Sequence, residues 1–387
     1  MDFTFTEEQQ AAVEAARAVF SDVAPEAVPS PALTPGAVAD DVDRALWAGL
    51  ARADLLGLVL PTEHGGAGLD PIALCLVLRE AGKVLARVPL LETSAVAMAV
   101  ARHGSPALRA EILPRVVRGE LILTAGANGR TGHDPAELAV AARRTDGSGW
   151  VLDGVQTGVP WAQCADRIAV PAHTDDGRAL FALVPQDAAG LSLAEQISTN
   201  GELFAEVTLD SVRVDGSAVV DADGSWERLH GLLATGTCAM ALGLGEAVLT
   251  MTSRYTAKRE QFGFPLATFQ AVAVQAADRY IDLRAMEATL WQAAWRLTEP
   301  EEAGASGTAS AVALPVTADV SVAKIWASEG VRRVVQTAQH LHGGLGADTD
   351  YPLHRFHAWA KQLELSLGPA AAHEETLGDL LAAHPLG

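Results

Sequence analysis

Two segments in the C-terminal half carry residue types that suit the binding of a phosphate-bearing ligand. In the first, residues 259–270 (REQFGFPLATFQ), an arginine precedes a Phe-Gly pair by three residues. A guanidinium can pair with phosphate oxygens through two parallel hydrogen bonds. In the second, the adjacent Gly343 and Gly344 follow a histidine. Paired glycines let backbone N–H groups approach a nucleotide closely, so both segments are candidate binding elements.

Histidine and cysteine residues give little support for a metal site. The C-terminal region contains four histidines, at His340, His342, His354 and His357. No carboxylate or cysteine lies at a matching spacing, which favours packing and backbone hydrogen bonding over metal ligation. The three cysteines are far apart and form neither a disulfide framework nor a Cys-x-x-Cys clamp. We therefore predict no metal site and a reducing, cytoplasmic location.

Charge and hydropathy exclude several classes of partner. The sequence has 28 Lys and Arg against 48 Asp and Glu, a net charge of -20. Such a surface repels nucleic acid and anionic lipid, so we predict neither as a partner. The acidic N-terminus lacks the pattern of an export signal. The longest apolar stretch, Gly231 to Gly245, contains threonines and glycines and is too short to span a bilayer. It indicates a buried core helix and no membrane insertion.

Three regions of different texture must position the candidate segments. Residues 1–118 show Ala and Leu at helical spacing, and Thr6 with Gln9 forms the pattern of a capping box. Residues 119–217 consist of short runs separated by turn dipeptides, which is typical of an antiparallel β module. These dipeptides are Asp146-Gly147, Asp153-Gly154 and Asp176-Gly177. Residues 225–387 are helical again, so the predicted fold class is α+β, with a β-sandwich or barrel between two helical domains.

Three motifs, in this arrangement, resemble those of the acyl-CoA dehydrogenase family. They are RxxFGxPxxxFQ at 259–270, the HGGxG and YPLxR pair within 340–355, and PxxxGGxG at 61–68. The resemblance covers nearly the whole chain. It implies an N-terminal helical domain, a central antiparallel β domain and a C-terminal four-helix bundle. It also implies FAD-dependent α,β-dehydrogenation of an acyl-CoA thioester, in which a glutamate removes the α-proton while the flavin accepts a hydride from the β-carbon.

The catalytic glutamate of that family has no counterpart in this sequence. An ungapped alignment from Arg355 places Leu367 at its position, just before Gly368. The alternative position of the base, near the start of the first C-terminal helix, corresponds to Leu233. Glu364 is a weak substitute, because three residues along a helix displace a carboxylate by about 4.5 Å. The other nearby carboxylates are Glu227 and Glu246. We therefore predict no catalytic base in this chain.

Most residues that would hold the flavin ring of the chain's own site are also missing. The family's TEPxxGSD-like segment aligns with Thr124 to Gly129, where the Glu-Pro pair and the later serine are absent. Its WxT segment aligns with Gly158, Val159 and Pro160, so the tryptophan and the threonine hydroxyl are lost. The threonine that follows the catalytic Glu-Gly pair is replaced by Pro369, which has no backbone N–H.

The residues that reach a neighbouring subunit's FAD in the family are retained. The resemblance assigns them to the pyrophosphate and adenosine end of that cofactor. They are Arg259, Gln261, Phe262, Gln270, Gly343 and Gly344, with His340 at a position where glutamine is usual.

This division suggests the non-base subunit of a heteromeric enzyme, such as an α2β2 assembly. A homologous acyl-CoA dehydrogenase subunit would supply the base and the ring pocket for a shared FAD, and bulky acyl-CoA thioesters such as steroid side chains would be candidate substrates. Two alternatives stay open. The chain could be a homo-oligomeric dehydrogenase with a relocated base such as Glu364, or a flavin-free scaffold or acyl-CoA-binding protein.

Overall fold

The computed structural model describes residues 4–25, 42–131, 135–145, 147–298 and 314–384. The described residues fall into two compact units. The first unit comprises those within Met1–Val19, Val38–Leu74 and Arg87–Leu233. The second unit comprises those within Phe20–Ala37, Cys75–Ala86 and Ala234–Gly387. Helices come first along the chain, then strands, then helices, which confirms the predicted order of elements.

Among the described residues, five helices precede the first strand. They are α1 (Glu7–Phe20), α2 (Arg44–Arg52), α3 (Pro71–Lys83), α4 (Leu90–His103) and α5 (Pro106–Val117). The predicted capping box is confirmed at α1, because the Gln9 N–H donates to Thr6 Oγ1 at 3.2 Å and the Thr6 N–H donates to Gln9 Oε1 at 3.0 Å. Asp43 caps α2 in a similar way. These side chains satisfy N–H groups that a helix leaves unpaired at its start.

The loop at residues 61–68 is a compact turn. The Ala67 N–H donates to the Gly57 carbonyl at 3.0 Å, and the Gly68 N–H donates to the Leu60 carbonyl at 2.9 Å. A Cβ atom at Gly66 would lie 2.1 Å from the Leu60 carbonyl oxygen, so only glycine fits there. The glycines of this motif thus have a structural reason of their own.

Eight strands of the described residues form one mixed sheet in the first unit. They are β1 (Leu123–Ala125), β2 (Val140–Arg144), β3 (Gly149–Pro160), β4 (Arg167–His173), β5 (Ala179–Pro185), β6 (Leu191–Ile197), β7 (Leu203–Asp215) and β8 (Val219–Val220). The sheet order is β6-β7-β3-β2-β4-β5-β8, with β1 also paired to β4. Inward residues such as Leu152 and Val207 are fully buried in its core.

The prediction of a purely antiparallel module was wrong for two pairings. Strands β1 and β2 both run parallel to β4. Turn dipeptides report only strands that follow one another along the chain, so they carry no information on these non-local pairings. Asp176-Gly177 does form a turn, between β4 and β5, with Gly177 at a φ of +80°. Asp153-Gly154 instead lies inside β3 at a register shift, and Asp146 lies outside the described residues.

The second unit is helical. Besides α3 from Cys75 onward, it contains α6 (Ser225–Lys258) from Ala234 onward. A small hairpin of β9 (Glu260–Gln261) and β10 (Phe264–Pro265) comes next. Four helices follow: α7 (Gln270–Arg296), α8 (Val316–His342), α9 (Leu353–Leu365) and α10 (Ala370–Ala383). The described part of this region therefore has one helix more than the predicted four-helix bundle. The extra division lies between α9 and α10, where Leu367 and Gly368 adopt left-handed φ angles of +60° and +94° and no helix can continue.

Helix α6 confirms the prediction of a buried core helix. By length and composition alone it could cross a membrane, but 78% of its most apolar window is buried within the protein. Where α3 crosses it, a Cβ atom at Gly243 would clash with the Arg79 carbonyl. A Cβ atom at Gly82 would lie 2.2 Å from the Met240 carbonyl oxygen. Glycine on both helices therefore permits this close crossing.

Candidate functional site

The segment 259–270 is a projecting hairpin that joins α6 to α7. The Arg259 N–H extends α6 by donating to the Tyr255 carbonyl at 2.8 Å, and the Arg259 carbonyl accepts from the Leu266 N–H at 2.8 Å. Between β9 and β10, Phe262 and Gly263 have φ angles of +56° and +82°. Two adjacent positive φ angles are what a tight two-residue hairpin requires. The turn therefore fixes where the Phe262 side chain stands.

The side chains of this hairpin are open to solvent. Phe262 is 89% exposed and Phe264 is 61% exposed, which is unusual for aromatic residues. The Arg259 guanidinium is exposed and makes no ion pair with any residue that the structure describes. Gln270 is also exposed, at the first position of α7. An exposed guanidinium and an exposed aromatic ring in the same segment can together hold an anionic or aromatic ligand.

The turn at the end of α8 is equally open. Gly343 has a φ of +59° and a ψ of −134°, a conformation that glycine alone adopts readily. No atom lies within 4 Å of the positions where Gly343 and Gly344 would carry a Cβ. His340 precedes the turn with an exposed side chain. A ligand can therefore come close to the backbone here.

A buried histidine links the end of α8 to the end of α6. The His342 ring stacks on Tyr255 with 4.4 Å between ring centroids. Its Nδ1 lies 2.8 Å from the Ala338 carbonyl oxygen, and its Nε2 lies 3.1 Å from the Tyr351 hydroxyl. Burial lowers the pKa of His342. The Ala338 carbonyl can only accept, so Nδ1 is the donor in that hydrogen bond. The ends of α6 and α8, with the two predicted segments they carry, are thereby held together.

The histidines were predicted to pack and to bond to the backbone, but the contact between His342 and Tyr255 was not predicted. His342 and His354 do bond to backbone carbonyls, His354 through Nδ1 to Tyr351 at 2.8 Å. The only signal for the link was a tyrosine one helical turn before Arg259. No cluster of three or more His, Cys, Asp or Glu side chains within the described ranges could hold a metal ion.

The position of the missing base is occupied by a hydrocarbon side chain in a tight turn. Leu367 and Gly368 turn the chain from α9 into α10, and Pro369 directly precedes α10. The Leu367 carbonyl lies 2.9 Å from His373 Nε2. Nothing on the Leu367 side chain can accept a proton. The second expected position, Leu233 in α6, is only 4% exposed.

The carboxylates nearest in sequence to these positions are held in ion pairs or stand in solvent. Glu364 pairs with Lys361 at 2.8 Å, an i,i+3 contact on α9. Glu246 accepts from Arg79 Nε at 2.9 Å and lies 3.5 Å from Lys83. Glu227 is exposed near the start of α6. Partnered in this way, Glu364 and Glu246 do not have the environment of a poised base.

A fully buried lysine holds the end of α9. Lys324 Nζ donates to Ser328 Oγ at 2.9 Å and to the carbonyls of Leu363 and Glu364 at 3.1 and 3.0 Å. Burial lowers the pKa of Lys324 to about 8. Burial likewise raises the pKa of Cys238 to about 12, so its thiol stays protonated. Lys324 thus satisfies the last carbonyls of α9 and fixes the entry to the Leu367 turn.

In the first unit, the two segments predicted to face a flavin ring lie side by side. Thr124 Oγ1 donates to the Pro160 carbonyl at 2.6 Å. Thr157 Oγ1 donates to the Gly129 carbonyl at 2.8 Å, and Asn128 Nδ2 donates to the Thr157 carbonyl at 3.3 Å. The polar groups of these segments are therefore bonded to one another.

A partly buried carboxyl group, missed by the sequence analysis, lies beside these segments. Glu92 in the first turn of α4 accepts a hydrogen bond from the Trp161 side chain, and burial raises the pKa of Glu92 to about 7. Trp161 follows Pro160 directly and has a left-handed φ of +58°, which strains a bulky residue. Nothing in the sequence spacing connects Glu92 to Trp161.

Comparisons with known proteins agree with the fold and the motifs. The family model "Acyl-CoA dehydrogenase, N-terminal domain" matches residues 6–120, and "Acyl-CoA dehydrogenase, C-terminal domain" matches residues 231–381. The chain is 36% identical to Acyl-CoA dehydrogenase FadE27 of Mycobacterium tuberculosis over 344 residues, which are 89% of each chain.

Two solved structures are similar over nearly all of the chain. One is a chain of the ChsE4-ChsE5 complex from Mycobacterium tuberculosis, with a TM-score of 0.88, 34% identity and 100% coverage of both chains. The other is a variant of the steroid ACAD Tcur3481-Tcur3483, with a TM-score of 0.86, 36% identity, and coverage of 97% of this chain and 98% of that one.

Proposed function

Because the chain belongs to the acyl-CoA dehydrogenase family, we propose that it is the non-base subunit of a heteromeric acyl-CoA dehydrogenase. One observation carries the proposal. The residues predicted to reach a neighbour's cofactor, such as Arg259 and Gly343, stand open to solvent. The position of the base in this chain's own site holds Leu367. A homo-oligomer of such a chain would contain the residues that reach a neighbouring subunit's cofactor, but no subunit in it would carry a catalytic base.

The cofactor of the family, FAD, fits one of the two regions of this chain. A pyrophosphate would find the exposed guanidinium of Arg259, which has no ion pair in the described part of the chain, and the open backbone at Gly343 and Gly344. The segments Thr124 to Gly129 and Thr157 to Pro160 would face a flavin ring, but their polar groups hydrogen-bond to each other. These self-bonded segments offer the ring few partners. When bound, FAD supplies the acceptor for the substrate's hydride. Gln261, Phe262, Gln270 and His340 complete the set proposed to touch the phosphate and adenosine end.

An exposed apolar surface supports a protein partner at the hairpin. Besides Phe262 and Phe264, the first turns of α7 expose Val274 at 51%, Tyr280 at 56% and Ile281 at 63%. Further along α7, Leu283, Met286 and Leu290 are buried. Apolar side chains exposed together usually mark an interaction surface. The proposed occupant is a homologous subunit that carries the base and the ring pocket, in an α2β2 assembly.

The names of similar proteins suggest a substrate class. One similar structure is a complex of ChsE4 and ChsE5, and another is a steroid ACAD of Tcur3481 and Tcur3483. We extend both features to this chain as part of the proposal. The substrate would be the CoA thioester of a bulky, steroid-like acyl chain, and the reaction would take place in the cytoplasm.

Two other functions remain as outcomes of the test. A homo-oligomer with Glu364 as a relocated base is disfavoured by the ion pair between Glu364 and Lys361. A flavin-free scaffold is disfavoured by Arg259, which is exposed and makes no ion pair among the described residues. A flavin-free acyl-CoA-binding protein could use the same arginine for the phosphates of CoA, so the flavin content of the complex separates it from the proposal.

Expression with and without a homologous, base-containing subunit tests the proposal. We expect the chain alone to be colourless and inactive, and the co-expressed complex to be yellow and active with acyl-CoA. In the complex, Arg259→Ala should weaken FAD binding. The matched control is Arg52→Ala, which removes an exposed arginine of the first unit and should leave FAD binding unchanged. A yellow, active protein from the chain alone would contradict the proposal and favour the homo-oligomer. A colourless product with every homologous partner would favour the scaffold.

A further inference from the structure

Strand β3 contains a bulge within the segment predicted to face a flavin ring. In the pairing with β7, Gln156 lies opposite Val207 and Val159 lies opposite Ala205, so two residues of β3 oppose one of β7. Gly158, the second bulge residue, has a left-handed φ of +59°. A bulge interrupts the ladder and leaves an N–H group without its strand partner. The Gly158 N–H is that group.

A side chain from another strand takes this N–H. Gln196 Oε1 accepts from the Gly158 N–H at 2.9 Å. Gln196 belongs to β6, which pairs with β7 and not directly with β3. Across the sheet, Gln196 lies opposite Phe204, and Phe204 lies opposite Pro160. The glutamine therefore reaches across a neighbouring strand to the edge of the bulge.

The other polar groups of the bulge are also bonded within the chain. The Thr157 N–H donates to the Asn128 carbonyl at 3.3 Å, and Thr157 Oγ1 donates to the Gly129 carbonyl at 2.8 Å. The Pro160 carbonyl is taken by Thr124, and proline has no N–H to offer. Because Gln196 also accepts the Gly158 N–H, the described bulge residues 157, 158 and 160 have no hydrogen-bond donor left for a ligand.

The left-handed conformation also opposes a tryptophan at position 158. A Cβ atom on Gly158 would lie 3.4 Å from Asn128 Nδ2, which is contact distance. The φ of +59° is the larger obstacle, because bulky side chains strongly disfavour it. Trp161, three residues later, adopts a φ of +58°, so this conformation disfavours a tryptophan at position 158 without forbidding it.

We propose that Gln196 is the residue that closes this chain's own flavin-ring position, by capping the bulge at Gly158. The inference rests on the proposed function, in which the ring is held by the partner. Gln196 then determines which subunit binds the flavin ring. With this chain's ring position closed, only the partner's position can accept one. A cap that merely stabilised the bulge would leave ring binding unchanged when removed.

Ring binding is tested on the co-expressed complex, saturated with FAD and titrated with lumiflavin, which has a ring but no phosphate. Three variants of this chain are compared: Pro160→Thr, which adds an N–H and a hydroxyl; Gln196→Ala/Pro160→Thr; and Ser192→Ala/Pro160→Thr as control. Ser192 is exposed on the same strand. We expect the Gln196 double variant to bind extra lumiflavin about tenfold more tightly than the others, the equivalent of one uncovered hydrogen bond.

Amide hydrogen exchange gives a second readout that does not depend on ligand binding. In Gln196→Ala, the Gly158 amide should exchange about tenfold faster than in the parent complex or in Ser192→Ala. No gain in lumiflavin affinity over Pro160→Thr, whether both bind or neither does, would overturn the inference. An unchanged exchange rate at Gly158 would overturn it as well. The flavin content of the parent complex, measured alongside, reports separately on the proposed function.

Discussion

The hairpin and turn of the second unit differ sharply from the flavin-facing strand segments of the first. At the hairpin, Arg259 has no ion pair among the described residues and Phe262 is 89% exposed. At the strand segments, Thr157 donates hydrogen bonds to the carbonyls of Gly129 and Asn128, and the Gly158 N–H donates to Gln196. Buried polar groups must be satisfied, and the strand segments of the first unit satisfy theirs within the chain. The polar groups of the hairpin and turn are exposed and stay available to a ligand.

Removing the histidine that supports the open region should have the largest effect. His342→Ala deletes a stacked ring and two hydrogen bonds. We expect the free energy of unfolding to fall by about 3 kcal/mol. Urea denaturation of the complex measures this change. His340→Ala is the control, since His340 is exposed two residues earlier. Equal stability of the two variants would show that the hairpin and turn are not held together through His342.

Loss of the open guanidinium should weaken cofactor binding without unfolding the chain. We expect Arg259→Ala to raise the dissociation constant of FAD in the complex by about thirtyfold, the loss of a charge-assisted hydrogen bond. Arg259→Lys should recover part of this affinity, because an ammonium lacks the fork geometry. Equilibrium titration of the flavin-depleted complex provides the measurement. An affinity equal to that of Arg52→Ala would remove Arg259 from the binding set.

The self-bonded region should carry a pH-dependent stability. Because the folded protein raises the pKa of Glu92 to about 7, the folded state binds more protons than the unfolded state between the ordinary pKa and about 7. Stability is then lost as pH rises through that window. Glu92→Gln should be more stable than the parent by about 1 kcal/mol at pH 8.5, a value reduced for partial exposure.

The difference between Glu92→Gln and the parent should shrink at pH 5.5. Denaturant unfolding at the two pH values gives the comparison, with Glu14→Gln, an exposed glutamate of α1, as the control. A gain that is the same at both pH values would show that Glu92 does not titrate in the folded state as described.

Restoring the base alone should have the smallest effect. We expect Leu367→Glu to leave turnover of the complex within about twofold of the parent, because proton abstraction requires a positioned flavin and substrate beside the base. The self-bonded strand segments offer no ring position of their own. Steady-state rates with acyl-CoA measure the effect. A large increase in active-site number or rate would show that the first unit can hold a ring after all.

Local features could be predicted from the sequence, and non-local ones could not. The capping box of Thr6 and Gln9 and the turn at Gly177 depend on residues a few positions apart, and both are confirmed. The parallel pairing of β1 with β4 depends on strands about forty residues apart, and no turn signal encodes it. Strand β6 lies at the edge of the sheet and is largely exposed, so its sequence has only a weak alternation of apolar residues.

The same distinction holds for the candidate site. Arg259, Gly343 and the replacement at Leu367 are visible in motifs, because motif residues are close in sequence. The contacts that position these segments are not visible in motifs. Tyr255 contacts His342, 87 residues away in sequence, and Gly158 contacts Gln196, 38 residues away. These contacts follow from tertiary packing, which periodicity and spacing do not report.

Counting flavins in the intact assembly tests the central claim most directly. Native mass spectrometry of the co-expressed complex resolves the number of chains and of bound FAD molecules in one measurement. If this chain lends Arg259 and the Gly343–Gly344 turn to its partner and closes its own ring position, the assembly will carry half as many FAD molecules as chains. An assembly with one FAD for every chain would contradict the account.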